Sequence, residues 1–322
     1  MEAMLLKSAE KDYLWGGVRL KKEYGKETDL FPLAETWECS THPDGPSRIK
    51  NGEFSGQTLK DVLKKHPEFL GTKAEKENEL PILVKFIDAK QDLSVQVHPD
   101  DKYAWEHEKQ RGKTEVWYVL DAEPGTTLVH GLAHDITKQQ LQKAIETGQL
   151  SKHLQKVEVH KGDVFFIPAG TIHAIGAGAL IAEIQENSNI TYRVYDYNRI
   201  DKNGKKRELH FEKAVEVMNM RAGEPVRQKQ RMVHYYPGCS RELLCRCQYF
   251  EVERIQVSKG VSFSVHNNSF QVLLCFDGSG GIETGNERNK PVRFSKGDCI
   301  FLPAGIGRCH VIGEAEFLKI RC

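Results

Sequence analysis

Apolar residues occur mostly in short runs of strand length, separated by glycine, proline and charged residues. This spacing is typical of β-strands, and we predict strands over residues 81–87, 116–120, 164–167 and 179–186. Apolar positions with helical spacing predict helices over residues 58–65, 137–148 and 210–220. The second of these lies between two predicted strands and could be a lid or a purely structural cap. The pattern as a whole predicts a mainly β protein with a helical insert or cap.

An internal repeat extends this picture. Residues 161–170 return as residues 296–305, a shift of 135 with seven of ten positions identical. Residues 115–121 match residues 271–277 more loosely, with glutamine in place of the first glutamate. Short strands joined by Gly-Asp and Pro-Ala-Gly turns, present twice, fit the double-sheet jelly roll of cupins. We therefore predict two cupin-like jelly-roll modules, residues 1–220 and residues 232–322, joined by a linker.

Four residues of the first module form a candidate metal site. Gln96 and His98 alternate on one predicted strand, so both side chains should leave the same face. Glu115 opens the next strand, and His173 follows the turn at residues 168–170. A single histidine is more often a structural residue, but imidazole and carboxylate ligands in matching turn contexts favour a divalent ion such as zinc.

The second module should not bind this metal. The repeat places Arg308 at the position of His173 and Gln271 at the position of Glu115. His266 could lie near the remaining position, but one histidine alone does not hold a metal ion. We expect the first module, residues 1–220, to be the catalytic one.

Composition narrows the functional classes. The chain has 322 residues and a net charge of +1, so neither nucleic acid nor an acidic membrane is an expected partner. No apolar run reaches the roughly 18 residues that a membrane span needs. The first residues lack the pattern of a secretory signal, and seven of the eight cysteines lie in the last third without a Cys-x-x-Cys pair. We expect a cytoplasmic protein with reduced thiols.

Several motifs together resemble one family. They are Gln96-Val-His98-Pro-Asp-Asp, Gly112-Lys113-Thr-Glu115, Pro168-Ala-Gly-Thr-Ile-His173 and Asn189-Ile-Thr-Tyr-Arg193. Each motif alone is weak, but their order and spacing are similar to the short bacterial form of the type I mannose-6-phosphate isomerases. The resemblance runs from residues 15–17 to the second repeat, so it covers nearly the whole chain.

The resemblance implies a function and a set of site residues. It implies a zinc-dependent interconversion of D-mannose 6-phosphate and D-fructose 6-phosphate, with one Zn²⁺ per chain and a sugar phosphate as the small-molecule partner. The implied zinc ligands are His98, Glu115 and His173, with Gln96 as a further ligand, and the implied catalytic residues are Arg193 and Lys113. The segment after Arg193 departs from the longer enzymes, so matching does not fix the phosphate-binding residue; Ser94 and Lys85 are the candidates.

The chemistry leaves some choices open. Aldose-ketose isomerisation passes through a cis-enediol and needs an acid/base near neutral pH, which could be a zinc-bound water, Glu115 or a lysine. Lys113 lies two residues before Glu115 and reaches the pocket only if the strand begins at about Thr114. A non-haem metal dioxygenase and a non-catalytic sugar-phosphate-binding cupin are the alternative functions. The sequence does not determine the oligomeric state, and a monomer is compatible with it.

Overall fold

Antiparallel strands form three sheets in the described part of the chain, and strand is the main regular structure, as the apolar pattern predicts. A computed structural model describes residues 1–74, 79–200, 204–285 and 290–322. The strands before residue 200 are β1 Met4–Lys7, β2 Ala9–Lys11, β3 Glu35–Cys39, β4 Arg48–Ile49, β5 Ile82–Asp88, β6 Val95–Val97, β7 Glu115–Ala122, β8 Thr127–Leu132, β9 Leu154–Glu158, β10 Val164–Ile167, β11 His173–Ile175, β12 Ala179–Glu186 and β13 Tyr192–Tyr195. The later strands are β14 Val233–Tyr236, β15 Cys239–Arg246, β16 Glu251–Val257, β17 Gly260–Val265, β18 Gln271–Thr284, β19 Val292–Ser295, β20 Cys299–Leu302 and β21 Gly307–Arg321.

Helices are short and lie between strands. They are α1 Arg19–Tyr24, α2 Leu59–Lys65, α3 Asp101–Glu108, α4 Lys138–Glu146 and α5 Phe211–Val217, with 3-10 turns at Pro67–Leu70 and Leu150–Lys152. In the part of the chain that the structure describes, none of them has the length and apolar character needed to cross a bilayer.

The first module is a sandwich of two sheets. One sheet has the strand order β10-β7-β12-β5-β3-β2, and the other has the order β13-β6-β11-β8-β9. Their facing side chains form one apolar cluster, in which Trp117 and Ile181 of the first sheet pack with Leu128 and Ile175 of the second. This arrangement places β6, β7 and β11, which carry the predicted metal ligands, around one interior.

The second module repeats the strand pairing of the first. In the first module β10 pairs with β7 so that Ile167 lies opposite Glu115. In the second, β20 pairs with β18 so that Leu302 lies opposite Gln271, which is the same register after the repeat is applied. The predicted duplication of cupin-like modules is therefore present in the strand register as well as in the sequence.

The large sheet also takes strands from the start of the chain. Its order is β14-β15-β16-β21-β18-β20-β1-β4, with β17 on β21 and β19 on β18. Residues 4–6 pair with β20, so the N-terminal segment extends the sheet of the second module rather than a sheet of the first. The predicted division of the chain near residues 221–231 stays a prediction.

Helices α1 and α3 are absent from the predicted set, and the helix predicted over residues 210–220 differs in length. Residues 99–112 contain α3, which begins after the cap Asp100, whose side chain accepts from Tyr103 N. Only Ala104 of this helix is buried, so it has no apolar stripe that a periodicity search could detect. The helix predicted over residues 210–220 is shorter and ends at Val217. By contrast, α4 begins at the predicted position, where Thr137 and Gln140 form a capping box.

Candidate metal centre and active site

Two imidazoles and one carboxylate meet inside the first module. His98 follows β6, Glu115 begins β7 and His173 begins β11. Glu115 Oε1 lies 3.0 Å from His98 Nε2 and 3.2 Å from His173 Nε2. All three residues are almost fully buried, and the three ligand atoms lie within 4.8 Å of one another. Among the described residues, this is the one group of three such side chains with the geometry to hold a metal ion.

The orientation of both imidazoles suits a bound cation. Nδ1 of His173 donates to the carbonyl oxygen of Thr171 at 2.8 Å, so Nε2 is the ring nitrogen that faces Glu115. Burial and the neighbouring Lys113 lower the pKa of His98 to about 3, so this imidazole is neutral. Two imidazole Nε2 atoms and one carboxylate oxygen therefore face each other, which is a donor set that suits a divalent cation.

Gln96 lies beside this centre. Its amide nitrogen is 3.4 Å from His173 Nε2. Gln96 on β6 and His173 on β11 are directly opposite each other in the sheet. An amide flip would exchange its oxygen and nitrogen, because the two atoms have nearly the same shape. The structure thus brings all four residues of the predicted ligand set together.

Lys113 enters the same interior. Strand β7 begins only at Glu115, so Lys113 precedes the regular strand and is not forced to the opposite face. Its Nζ lies 2.9 Å from His98 Nε2 and 3.4 Å from Glu115 Oε2. Burial alone would raise the pKa of Glu115, but the charge of Lys113 and the hydrogen bonds of His98 and His173 outweigh it and hold that pKa well below its usual range.

A second charged group lies next to the first. Lys85 on β5, Glu183 on β12 and Trp117 on β7 are cross-strand neighbours in one row. Lys85 Nζ lies 3.0 Å from Glu183 Oε1 and 3.7 Å from Glu35 Oε2, and Trp117 Nε1 donates to Glu183 Oε2 at 3.0 Å. Burial and the charge of Glu115 raise the pKa of Glu183 to about 7.

Sequence analysis missed Glu183 and Glu35 as site residues, although a signal was present. Glu183 is the first carboxylate within the apolar run that forms β12, just as Lys85 is the one charge in the predicted strand over residues 81–87. A charged side chain inside a buried strand needs a partner, and pairing the two runs would have indicated this ion pair.

A polar cavity of about 310 Å³ opens onto these groups. Its lining residues are Tyr13, Trp15, Glu35, Lys85, Ile87, Leu93, Ser94, Gln96, Lys113, Ile175, Glu183, Asn189, Thr191, Arg193 and Arg207. Four of them are lysine or arginine and two are glutamate, so the cavity suits an anionic polar ligand.

Arg193 lies close to the metal centre in the second sheet. It is the cross-strand neighbour of Gln96, which is in turn the neighbour of His173. Its Nη1 donates to the carbonyl oxygen of Glu208 at 2.8 Å, whereas its buried Nε has no partner in the described part of the chain. Burial and the adjacent Arg207 lower the pKa of Arg193, but an arginine remains protonated at neutral pH.

A buried His-Glu-His centre beneath a polar cavity, in a duplicated antiparallel β-sandwich, defines a metal-binding cupin. Residues 4–125 match the family model of the phosphomannose isomerase type I catalytic domain, and residues 241–321 match that of the mannose-6-phosphate isomerase cupin domain. The mannose-6-phosphate isomerase of Streptococcus mutans is 36% identical over 98% of this chain and 97% of its own. The chain belongs to the type I phosphomannose isomerase family.

Other relatives agree over the full length. A probable mannose-6-phosphate isomerase of Bacillus subtilis is 37% identical, covering 98% of both chains. A crystal structure of the mannose 6-phosphate isomerase from Bacillus subtilis superposes with a TM-score of 0.89 at 32% identity, covering 99% of both chains. A putative mannosephosphate isomerase from Archaeoglobus fulgidus shares the fold, with a TM-score of 0.77 at 22% identity over 98% of this chain and 97% of that one.

Proposed function

We propose that this chain interconverts D-mannose 6-phosphate and D-fructose 6-phosphate through a cis-enediol, with one zinc ion held by His98, Glu115 and His173. The isomerase activity follows from membership of the family. The observation that carries the metal assignment is the convergence of two imidazole Nε2 atoms on one buried carboxylate oxygen. Two histidines and a glutamate are a common donor set of catalytic zinc, and Gln96 lies within reach as a fourth ligand.

The chain's own residues have separate roles in this proposal. A bound divalent cation supplies Lewis-acid polarisation of the sugar oxygens. Lys113 and Arg193 place two positive charges at the cavity wall, where they stabilise the negative charge that develops on the enediolate oxygens. Glu183 faces the same cavity and is fixed by Lys85 and Trp117, so it is the carboxylate placed to hold the transferred proton.

In this proposal the two modules differ in role. Residues 1–220 carry the metal and the cavity, whereas residues 232–322 form a metal-free module. An apolar cluster that includes Leu273, Ile300 and Phe317 packs between the strands of the second module. The positive charges of the first module's cavity also favour a phosphorylated sugar over the substrates of a non-haem iron dioxygenase.

The proposal is tested by isomerase assays with metal analysis. Chelation should abolish turnover of mannose 6-phosphate, and zinc should restore it. His173→Gln should lose both the metal and more than about 99% of the activity, since a catalytic metal supplies several kcal/mol of stabilisation to the transition state. His130→Gln is the matched control, because His130 is the cross-strand neighbour of His173 on the other side, where its ring nitrogen contacts Phe166 O. Full activity of chelated protein or of His173→Gln would overturn the proposal.

A further inference from the structure

Arg207 is a second arginine of the cavity wall, and it comes from a segment outside the sheets. Residues 207–210 run beside Arg193 on β13. Arg193 N donates to His210 Nδ1 at 3.2 Å, and His210 N donates to Arg193 O at 2.8 Å. Together with the bond from Arg193 Nη1 to Glu208 O, these contacts hold the segment against the cavity. The guanidinium groups of Arg193 and Arg207 therefore line one space.

The orientation of Arg207 is fixed by a buried carboxylate. Its Nε donates to Asp196 Oδ2 at 2.8 Å and its Nη2 to Asp196 Oδ1 at 2.5 Å, a two-point contact that leaves little freedom to the guanidinium plane. Asp196 is 4% exposed. Within the described ranges, Nη1 of Arg207 has no acceptor. One donor edge of a fixed guanidinium is thus left for a ligand.

This part of the cavity carries excess positive charge. Asp196 also accepts from Arg199 Nη2 at 2.5 Å, so one carboxylate neutralises two arginines. Arg193 bonds only to a neutral carbonyl group, and its buried Nε has no partner in the described part of the chain. The carboxylates of Glu35 and Glu183 contact Lys85 and not these arginines. Asp196 is thus shared between Arg207 and Arg199, and Arg193 has no carboxylate partner among the described residues, so the wall at Arg193 and Arg207 keeps a net positive charge that suits an anionic phosphate.

We infer that Arg207 binds the phosphate group of the sugar phosphate and sets the preference for phosphorylated over free sugar. The inference rests on the proposed isomerase function. It also replaces the two candidates from the sequence. Lys85 is committed to its two glutamates, and the Ser94 hydroxyl donates to the Gln96 amide at 3.4 Å.

Glucitol 6-phosphate, a sugar phosphate without a carbonyl group, is the probe for the test. Isothermal titration of the zinc-loaded protein should show that Arg207→Gln weakens binding of this probe about 10- to 100-fold, the range expected for losing a charged hydrogen bond. In isomerase assays the same variant should raise KM for mannose 6-phosphate while kcat changes less than about threefold, since a phosphate contact is equally strong in the ground and transition states.

Arg199→Gln is the matched control. This variant removes the second arginine that donates to Asp196. Arg199 also donates to the carbonyl oxygen of Asp92 and lies over the Tyr197 ring, and it does not line the cavity. The variant should bind the probe within about threefold of wild type. Should Arg207→Gln fail to fold, Arg207→Lys keeps the charge, loses the two-point contact and should weaken binding about 3- to 10-fold.

Three results would overturn the inference. They are unchanged probe binding by both Arg207 variants, equal losses in Arg207→Gln and Arg199→Gln, and no binding of millimolar probe by the wild-type protein. Failure of the proposed function is a different outcome. Wild-type protein that binds the probe through Arg207 but does not turn over mannose 6-phosphate would refute the isomerase reaction and support the phosphate site.

Discussion

Replacing Lys85 by methionine is the substitution whose effect on stability can be worked out most fully. Lys85 is 4% exposed and is the shared partner of two buried carboxylates, at 3.0 Å from Glu183 and 3.7 Å from Glu35. Methionine retains most of the side-chain volume, so the main loss is the positive charge. Removing one partner of a buried ion pair typically costs about 3–5 kcal/mol, because the remaining charge is left without compensation. We expect Lys85→Met to lower the free energy of unfolding by that amount at pH 8.

The sign of the pH dependence follows from Glu183. Its pKa is already raised from 4.5 to about 7 by burial and Glu115, and loss of the Lys85 charge raises it further. A carboxyl whose folded pKa lies above its unfolded pKa binds a proton on folding, so its contribution to stability is complete below pH 4.5 and is lost as pH rises through the folded pKa. The cost of Lys85→Met should therefore be smaller at pH 5.5 than at pH 8.

Urea unfolding followed by tryptophan fluorescence at both pH values measures this cost. Lys90→Met is the control, since the Lys90 side chain is 67% exposed and its ion pair with Glu123 spans 3.8 Å. A surface pair of this kind contributes less than about 1 kcal/mol. Lys85→Met/Glu183→Gln should recover part of the lost stability, because it removes one of the unpaired charges. If Lys85→Met and Lys90→Met differ by less than about 1 kcal/mol at pH 8, the buried pairing described here is wrong.

Two further predictions concern neighbours of the metal ligands. Burial raises the pKa of Glu186 from 4.5 to about 8, so the stability that its protonated form provides is lost as pH rises through that range. The free energy of unfolding of Glu186→Gln should therefore exceed that of wild type by roughly 2–4 kcal/mol at pH 9 and equal it at pH 4.5. Equal urea midpoints of the two proteins at pH 9 would contradict this. Trp117 Nε1 donates to Glu183 Oε2 at 3.0 Å and to Glu115 Oε2 at 3.4 Å. Trp117→Phe should weaken zinc binding about tenfold in a chelator competition assay, whereas unchanged affinity would show that this donor does not orient the ligand.

Much of the fold could be predicted because the same turn-strand-turn pattern occurs twice in the sequence. The Lys-Gly-Asp turn and the Pro-Ala-Gly turn bracket β10 in the first module and β20 in the second, and both strands have the predicted length. Such turns require special residues, so they leave a clear trace in the sequence. Helix α3 could not be predicted in this way, because it buries a single alanine and its sequence has the polar composition of a loop.

The metal ligands could be predicted because they lie at the ends of strands with recognisable motifs beside them. The rest of the cavity could not. Glu183 joins the site through the register between β12 and β5, which a single sequence does not fix. Arg207 joins it through a non-strand segment that is held by backbone bonds to β13, and no periodic pattern marks such a segment.

The central claim is that one zinc ion is bound between His98, Glu115 and His173. Anomalous X-ray diffraction from crystals of the purified protein, recorded on both sides of the zinc absorption edge, tests it most directly. The expected result is one zinc peak per chain, within coordination distance of both Nε2 atoms and the Glu115 carboxylate. A peak at another place in the molecule, or an absorption edge of iron instead of zinc at this place, would contradict the claim.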